Sequence, residues 1–489
     1  MYYVGLDLGL TVIKGIVFDF EGHEIARSSI KPIILNPKES YFERDCYDLW
    51  GCVKTVLNEL TSKVNYNEIE AISLSGYGDG LYLLDKDKNL LDNGILSYDK
   101  RADSIIDAWE IDGKNTEALR KIGQKVFPAM PVSLLYWYKK NRPDIYKGIN
   151  HILFCKDFIR YKLTGNLCTD YSDASAGFTD VFKQDYSEDI LEFFDISEIS
   201  KALPPIKCSY EVGGFVTDES SKLTGLKIGT PVAVGAHDIN ACAIGVGAIE
   251  NNVLCMIAGT WCINEIVNTS PRIDKRWMCR NFVEKGKWLH QSSSPASSIN
   301  LDWYIKNYLL TKNGKIDDTF YKILEENVKD INTKVIFLPF LFGSPFDKAT
   351  GTFTGIKGDY KKENLLRAIY EGVAFNHKFH IEALNSSFNI EKIRFTGGAS
   401  KSYFWSQLFS DIINKNIETV KNQEAGCFGN ALIAMIMAGK LNNLEETLHI
   451  ISVKEQFKPK KDYTNKYKIY RKCCESLLDA WELLDSLEM

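Results

Sequence analysis

The sequence predicts an α/β protein with two large domains. Its 489 residues are too many for one ordinary hydrophobic core. Short apolar strands alternate with helical patterns along the chain, which is typical of mixed α/β architecture. Two similar strand–turn–strand segments lie about half a chain apart and favour a duplicated domain plan. We place the boundary in a Gly-containing stretch, so that the predicted domains are residues 1–247 and 248–489.

The first strand–turn–strand segment lies at the N-terminus. Residues 3–7 form an apolar strand, the chain turns after it, and residues 16–20 run back as a second strand. The second segment, VLCMIAGTWCINEIV (253–267), has a Gly-Thr turn between two apolar runs. Further predicted elements are strands at 70–76 and 229–235, helices at 48–60 and 133–140, and a Lys-rich helical tail from about 453.

Composition and charge narrow the class of protein. Hydrophobic residues make up 45% and charged residues 25% of the chain, which indicates a globular and not a disordered protein. The net charge of −5 and the lack of a basic cluster argue against nucleic-acid binding. The sequence has no signal-peptide pattern and no long apolar run, and its 12 cysteines form no CxxC pair. We therefore expect a cytoplasmic protein with free thiols and no membrane association.

The stretch DLGLTVIK (7–14) has the residues of a phosphate-binding turn. Gly9 allows close backbone approach, Thr11 offers a hydroxyl group and Lys14 a cation. Asp7 at the strand end could hold magnesium through water. The alternative is an ordinary hairpin with a polar turn.

Two later turns are candidates for nucleotide contacts. AGTW (258–261) is a second Gly-Thr turn between strands. In FTGGASKSYFWSQLFSDI (395–412), a strand ends in Gly-Gly-Ala and an amphipathic helix follows. A nucleotide can lie against such a glycine turn at a helix N-terminus, although a plain strand-to-helix turn explains the pattern equally well.

A single carboxylate stands at the start of the small-residue stretch GAHDINACAIGVGA (235–248). Burying a bare carboxylate costs several kcal/mol in effective terms unless a partner or a task offsets that cost. Asp238 is therefore a candidate catalytic group. The alternative is a structural helix N-cap.

Together these motifs resemble the FGGY carbohydrate kinases of the actin-like ATPase superfamily. The most specific tract, GTFTGIKGDYKKENLLRAIYE (351–371), has the family's Gly-x-aromatic-x-Gly-Ile followed by Ala-Ile-Tyr-Glu. Other matching tracts are LPPI (203–206), TGLKIGTPV (224–232), LTG (163–165) and GCFGNALIA (426–434). The resemblance covers nearly the whole chain and implies two actin-like (ribonuclease H-like) ATPase domains with a cleft between them.

The resemblance also implies residue roles. Asp238 matches the general base that takes the proton from the sugar hydroxyl as this attacks the γ-phosphate of ATP. Asp7 matches the magnesium-associated aspartate, so ATP and Mg²⁺ are the expected cofactors. The implied nucleotide contacts are Thr11 and Lys14 in the first phosphate loop, Gly259 and Thr260 in the second, and Gly397, Gly398, Ala399 and Ser402 at the adenosine turn.

One position departs from the family pattern. Many members have Thr where this chain has Leu10. Leu10 cannot donate a side-chain hydrogen bond, so phosphate contacts there must come from backbone N–H groups or from Thr11.

The substrate segment SGYGDG (75–80) aligns with one that usually reads Gly-Gln-Met-His-Gly in D-xylulose kinases. Tyr77, Gly78 and Asp79 take the positions of Gln, Met and His, and this departure argues against D-xylulose as the acceptor. The segment also lacks the Gln-Arg-Glu pattern of glycerol kinases.

A second set of substrate residues is implied by SYDKRAD (97–103) and FERD (42–45), which match the edge of the sugar pocket. Asp99 and Arg101 could together grip several hydroxyl groups. The alternative is a surface salt bridge.

Within the family, four tracts are most similar to bacterial L-xylulose kinases. They are GLYLLDKDKNLLDNGILSYDKRAD (80–103), PVSLLYW (131–137), SSSPASSINLDWY (292–304) and FLPFLFGS (337–344). We therefore predict ATP-dependent phosphorylation of a ketopentose such as L-xylulose. Erythritol, gluconate, ribulose and D-xylulose remain alternative acceptors, and a catalytically silent sugar- or nucleotide-binding regulator is the alternative function. Many relatives are dimers, which leaves a homodimer as an open expectation.

Overall fold

The computed structural model describes residues 1–309, 317–346 and 348–487. The chain divides into two compact units. The first contains Met1–Glu250, Val267–His290 and Glu424–Ser452, and the second contains Asn251–Ile266, Gln291–Gln423 and Val453–Met489. Because both units are discontinuous in sequence, the boundary between residues 247 and 248 stays a prediction.

The elements are numbered in chain order. Strands β1 to β24 are Tyr2–Leu8, Ile13–Phe18, Glu24–Ile30, Glu43–Arg44, Ile69–Gly76, Tyr82–Leu84, Gly94–Ile95, His151–Leu153, Thr169–Asp170, Thr179–Asp180, Asp185–Tyr186, Ile206–Lys207, Val212–Phe215, Pro231–Ala233, Ala236–His237, Val253–Ala258, Cys262–Asn268, Met278–Asn281, Trp288–Ser294, Ile336–Leu338, Thr352–Thr354, Lys392–Thr396, Ile417–Val420 and Val453–Phe457.

Helices α1 to α17 are Cys46–Lys63, Asp103–Ile111, Lys114–Ile122, Pro131–Asn141, Pro143–Gly148, Cys155–Thr164, Tyr171–Ala174, Glu188–Phe193, Asp218–Thr224, Asp238–Val246, Ile299–Tyr304, Asp318–Val328, Lys362–Asn385, Tyr403–Ile413, Ala425–Met437, Thr464–Ser476 and Leu478–Asp485. Short 3₁₀ helices are Tyr66–Glu68, Ser197–Ala202, Gly398–Lys401 and Glu445–His449, and Ile305–Leu309 is a π-helical turn.

The first unit is organised around a sheet with the strand order β3–β2–β1–β5–β14–β13. β1 and β2 form the predicted antiparallel hairpin, and β1 also pairs in parallel with β5. β5 is parallel to its neighbours β1 and β14, and it is buried along almost its whole length. A strand buried on both faces is usually a nearly continuous apolar run, and β5 departs from this with the buried Ser73 and Ser75, of which Ser75 donates to Asp7. Short β15 pairs with the end of β5 and leads into α10.

Helices α10 and α15 of the first unit pack against each other through glycine. A Cβ atom at Gly429 would lie 1.9 Å from the Ala241 carbonyl oxygen, and one at Gly245 would lie 2.0 Å from the Ala425 carbonyl oxygen. α15 meets β1 in the same way, since a Cβ at Gly5 would lie 1.8 Å from the Cys427 carbonyl oxygen. These contacts leave no room for side chains and hold α10, α15 and β1 close together.

The second unit repeats the arrangement with β17–β16–β22–β23–β24. β16 and β17 form the second predicted hairpin, and β16 pairs in parallel with β22, as β1 does with β5. β22 leads through the Gly397–Ala399 turn into α14, the predicted amphipathic helix, in which Leu408 and Ile412 are buried. The duplicated strand plan is therefore confirmed.

Several local predictions differ from the structure in their bounds. The predicted return strand 16–20 is β2, which begins earlier and ends at Phe18. The helices predicted at 48–60 and 133–140 are present as parts of α1 and α4. The predicted helical tail is confirmed for α16 and α17, but its first residues form β24 at the edge of the second sheet, which the prediction missed. None of the described helices combines the length and the apolar composition that a membrane span requires.

Candidate active site

Asp238 is the first residue of α10. The interpretation as a helix N-cap was wrong, because His237 occupies the cap position. The carboxylate accepts one backbone hydrogen bond, from the N–H of Ile239 at 2.7 Å. Its side chain is 32% exposed, so it can meet a ligand.

The environment of Asp238 disfavours its charged form. Burial raises the pKa of this carboxyl group well above its usual value, and the negative charges of Asp7, Asp173 and Asp79 raise it further. His237 Nε2 lies 3.2 Å from Asp238 Oδ1. Burial and the charge of Arg280 lower the pKa of His237 to about 3, so this imidazole is neutral near pH 7 and does not compensate Asp238. Asp238 is thus a partly shielded carboxylate suited to accept a proton.

A buried charge cluster lies beneath this position. The ammonium group of Lys156 lies 2.7 Å from Asp157, 2.9 Å from Asp170 and 2.9 Å from Asp173. Burial raises the pKa of Asp173 to about 8. The cluster reaches the site through Ser172, whose hydroxyl hydrogen-bonds to Asp170 and accepts a hydrogen bond from the backbone N–H of His237 at 2.9 Å.

Asp7 lies near the end of β1, opposite Lys14 on β2 and Ser75 on β5. Ser75 donates a hydrogen bond to Asp7 Oδ1 at 3.0 Å. The second oxygen faces the start of α15, where a Cβ at Gly426 would lie 3.0 Å from Asp7 Oδ2. Burial raises the pKa of Asp7, while the charge of Lys14 and the hydrogen bond from Ser75 lower it in part.

The first predicted phosphate turn joins β1 to β2. A Cβ at Gly9 would lie 2.7 Å from the Val12 carbonyl oxygen, so the tight turn requires glycine, and Thr11 is exposed. Leu10, the residue that differs from the family pattern, packs its side chain against the core. Its carbonyl accepts a hydrogen bond from the buried Arg44 at 2.6 Å. Arg44 thereby fixes the turn, and the Leu10 side chain has no polar role.

Lys14 is a strand residue of β2, and the expectation that it belongs to the turn was wrong. Its Nζ lies 2.6 Å from Glu424 Oε2. Burial alone would lower the pKa of Lys14, but the hydrogen bond to Glu424 and the charges of Glu424 and Asp7 raise it. Lys14 is therefore charged and already paired.

The SGYGDG segment places its three candidate residues differently. Tyr77 is buried in the apolar core with its hydroxyl bonded to Tyr82, so its side chain has no free polar group. Gly78 lies under the His237 ring, because a Cβ there would be 2.3 Å from His237 Nε2. Asp79 has a φ of +61° and forms an ion pair with Arg280. Of the three, Gly78 and Asp79 are in the surroundings of Asp238.

Asp99 and Arg101 are buried together, and the interpretation as a surface salt bridge was wrong. Arg101 Nε donates to Asp99 Oδ1 at 2.9 Å, and Nη2 donates to Glu43 Oε1 at 2.7 Å. The guanidinium group also stacks on the rings of Tyr41 and Trp137, at 4.6 and 5.2 Å from their centroids. The Glu43 of the FERD motif completes this group.

The second unit holds the other predicted nucleotide contacts. Two backbone N–H groups hold the carbonyl groups of the turn between β16 and β17. Ser297 N–H donates to the Thr260 carbonyl at 3.0 Å, and Ser298 N–H donates to the Gly259 carbonyl at 2.9 Å. A Cβ added at Gly259 would meet no heavy atom within 4 Å, and the Thr260 side chain is exposed. The outer face of the turn is open.

The Gly397–Ala399 turn contacts Ala258, the last residue of β16. Gly397 has a φ of +90°, and a Cβ there would lie 2.7 Å from the Ala258 carbonyl carbon. Gly398 is open in the same sense as Gly259, and Ala399 is buried. Ser402 caps α14 by accepting a hydrogen bond from the N–H of Trp405 at 2.8 Å.

The sequence reasoning missed Lys156, Arg280 and Glu424. Glu424 could have been found, because it stands directly before the small-residue run AGCFGNALIA as Asp238 stands before INACAIGVGA. Lys156 and Arg280 carry no local signal, since an isolated basic residue is usually exposed.

Comparison with known proteins identifies the family to which these motifs belong. The model of the FGGY family of carbohydrate kinases, N-terminal domain, matches residues 2–245, and that of its C-terminal domain matches residues 254–438. The L-xylulose/3-keto-L-gulonate kinase of Escherichia coli K12 is 32% identical, over 91% of this chain and 90% of its own length. A probable L-xylulose kinase of Haemophilus influenzae is 32% identical over 97% and 99%.

A solved structure resembles the whole chain. The gluconate kinase of Lactobacillus acidophilus matches with a TM-score of 0.91 and 25% identity, over 99% of each chain. The likeness confirms the predicted fold class of two actin-like α/β domains.

Proposed function

Because this chain belongs to the FGGY family of carbohydrate kinases, we propose that it transfers the γ-phosphoryl group of ATP to a hydroxyl group of a ketopentose such as L-xylulose, with Asp238 as the general base. The observation that carries the proposal is the state of Asp238. It is partly exposed, and among the described residues it makes no ion pair with a lysine or an arginine. A carboxylate held without such a partner is available for proton transfer.

In the proposed reaction the sugar hydroxyl oxygen attacks the γ-phosphorus of ATP. The new P–O bond forms as the bond to the β-phosphate oxygen breaks, and ADP leaves with that electron pair. The hydroxyl proton passes to the Asp238 carboxylate and from there to solvent. The raised pKa of Asp238 brings its proton affinity closer to that needed near neutral pH.

The carboxylates of the first unit fit a divalent cation. Asp7 offers a hard oxygen ligand of the kind that Mg²⁺ prefers, and its charge raises the pKa of Asp238, a repulsion that a cation would relieve. We propose Asp7 as the residue that would hold Mg²⁺, through water. When bound, the ion would neutralise charge on the phosphates.

The second unit supports the nucleotide part of the proposal. Gly259 and Gly398 leave open space next to backbone that is held rigidly from the other side. We propose that Gly259 and Thr260 contact phosphate and that the turn at Gly397–Ala399 accepts the adenosine. For Ser402 the proposal is limited to contacts that leave its cap on α14 intact.

The acceptor is proposed from the relatives. The proteins from Escherichia coli and Haemophilus influenzae are named for L-xylulose, and the former also for 3-keto-L-gulonate. A ketopentose is the acceptor that these names share. Gly78 and Asp79 border the base and are the proposed sugar contacts, whereas Tyr77, Asp99 and Arg101 are proposed to shape the pocket through their buried contacts.

The test is an assay of ADP release with ATP and Mg²⁺ over a panel of ketopentoses, polyols and sugar acids. We expect a high rate with one ketopentose and a loss of about 100-fold or more in kcat for Asp238→Asn. Nucleotide affinity, measured by calorimetry, should be nearly unchanged in this variant.

Asp218→Asn is the matched control, because Asp218 is also the first residue of a helix and is exposed. Retained turnover in Asp238→Asn would refute the assignment of the base. ATP binding without turnover of any acceptor would instead favour a silent regulator.

A further inference from the structure

Asp79 and Arg280 form a two-point ion pair next to the proposed base. Arg280 Nη2 lies 2.9 Å from Asp79 Oδ1, and Nη1 lies 3.3 Å from Oδ2. Arg280 Nε donates to Gln124 Oε1 at 2.6 Å, and Gln124 is held by the Ser175 carbonyl. The side chains of Asp79 and Arg280 are only 11% and 4% exposed, so the pair has a fixed geometry.

A short chain of contacts leads from this pair to Asp238. Asp79 follows Gly78, whose missing side chain makes room for the His237 ring. His237 Nε2 in turn lies 3.2 Å from Asp238 Oδ1. The charges interact over this path, since Asp79 raises the pKa of Asp238 and Arg280 lowers that of His237. A sugar placed at Asp238 therefore meets the field of the ion pair.

The cations near Asp238 are already paired with carboxylates, and the negative charges of Asp7 and Asp79 act on Asp238 itself. The positive charge of Arg280 is already matched by Asp79, and that of Lys156 by three buried aspartates. A substrate carboxylate would meet like charge without a free cation of this group to receive it, which costs binding free energy.

We propose that the Asp79–Arg280 pair is a specificity determinant that selects a neutral ketose over a ketose acid. The inference rests on the proposed function and concerns the same site. Asp79 neutralises the guanidinium group of Arg280, which could otherwise receive a substrate carboxylate. Removing the charge of Asp79 frees Arg280, whereas removing that of Arg280 leaves an additional bare carboxylate.

The two single variants therefore have opposite expected effects. Asn is a suitable replacement at position 79 because it keeps the shape and tolerates the positive φ of +61°. Asp79→Asn should raise the ratio of kcat/KM for 3-keto-L-gulonate to that for L-xylulose by about tenfold. Arg280→Gln should lower the same ratio. The double variant should return it close to the wild-type value, because both charges are gone.

Asp274→Asn is the matched control. Asp274 also forms a two-point pair with an arginine, Arg276, at 2.9 and 2.8 Å in the first unit, but this pair is more exposed. The control should leave the ratio unchanged. Thermal unfolding of each variant checks that the fold is intact.

The wild-type protein gives a result that needs no variant. L-xylulose should be preferred to 3-keto-L-gulonate by about tenfold or more in kcat/KM. A preference for the acid, or variants that change both substrates in equal proportion, would overturn the inference while leaving the kinase assignment intact. Absence of turnover with both substrates and with the wider acceptor panel would instead refute the proposed function.

Discussion

The ammonium group of Lys14 lies 2.6 Å from the carboxylate of Glu424, although 410 positions separate the two residues in sequence. Lys14 is on β2, and Glu424 is the cap residue of α15. The cation that the family resemblance implies as a phosphate contact is thus paired within the protein. A phosphate group that uses Lys14 must share it with Glu424.

Replacing Glu424 with Gln should therefore strengthen the interaction with ATP. The pair is partly exposed and screened, so we expect a decrease in the KM for ATP of at most about fivefold, corresponding to about 1 kcal/mol. Lys14→Met should raise that KM. Initial-rate measurements at fixed acceptor test both, and a higher KM in Glu424→Gln would mean that Glu424 supports nucleotide binding.

The glycine contact between α10 and α15 gives a stability prediction with an internal control. In Gly429→Ala the new methyl group would lie 1.9 Å from the Ala241 carbonyl oxygen, so α15 must shift, at a cost of about 1–3 kcal/mol. Gly51, inside α1, has no heavy atom within 4 Å of a Cβ, and Gly51→Ala should stabilise the protein by about 0.5–1 kcal/mol. Urea unfolding measures both, and equal effects would contradict the packing argument.

The buried group around Arg101 should be sensitive to the loss of one charge. Asp99→Asn leaves the guanidinium group with Glu43 as its remaining carboxylate partner, and we expect a loss of about 3 kcal/mol in the free energy of unfolding. The exposed pair Arg142–Asp144 is the control, and Asp144→Asn should leave the free energy of unfolding nearly unchanged. A small effect of Asp99→Asn would show that the burial of Arg101 is relieved by water.

His377 is connected through Ser297 to the second predicted phosphate turn, which contains Gly259 and Thr260. His377 Nδ1 lies 2.9 Å from Asn264 Oδ1, which can only accept, so Nδ1 carries the proton. His377 Nε2 then accepts a hydrogen bond from the Ser297 hydroxyl at 3.0 Å. Ser297 N–H binds the Thr260 carbonyl, so the neutral imidazole supports the turn.

This arrangement predicts acid sensitivity. Burial lowers the pKa of His377 to about 3, whereas the unfolded chain has the usual value of about 6.5. Below pH 6.5 the unfolded state binds the proton and the folded state does not, so stability falls as the pH decreases. Between pH 7 and 5.5 the loss should be on the order of 1 kcal/mol for this residue.

The measurement is urea unfolding at both pH values. On going from pH 7 to 5.5, His377→Gln should lose less free energy of unfolding than the wild type. His449→Gln, at an exposed position, should lose as much as the wild type. An identical loss in all three proteins would refute the assignment to His377.

The two hairpins, the parallel strands beside them and the turn after β22 could be predicted because each is a local pattern of apolar residues and glycines. Asp238 was predictable for a similar reason, as a charge at the start of a small-residue run. The bounds of β2 and the strand at the start of the tail were missed. Hydrogen bonding to the neighbouring strand of the sheet decided both, and local periodicity does not report it.

By itself the sequence determined the fold class, the family and the position of the candidate base, since these depend on residue types at fixed spacings along the chain. Only the tertiary structure decided which charges meet. Lys14 with Glu424, and Asp79 with Arg280, are paired across 410 and 201 positions. The free energy of a charge depends on burial and on the nearest opposite charge, and folding alone fixes both.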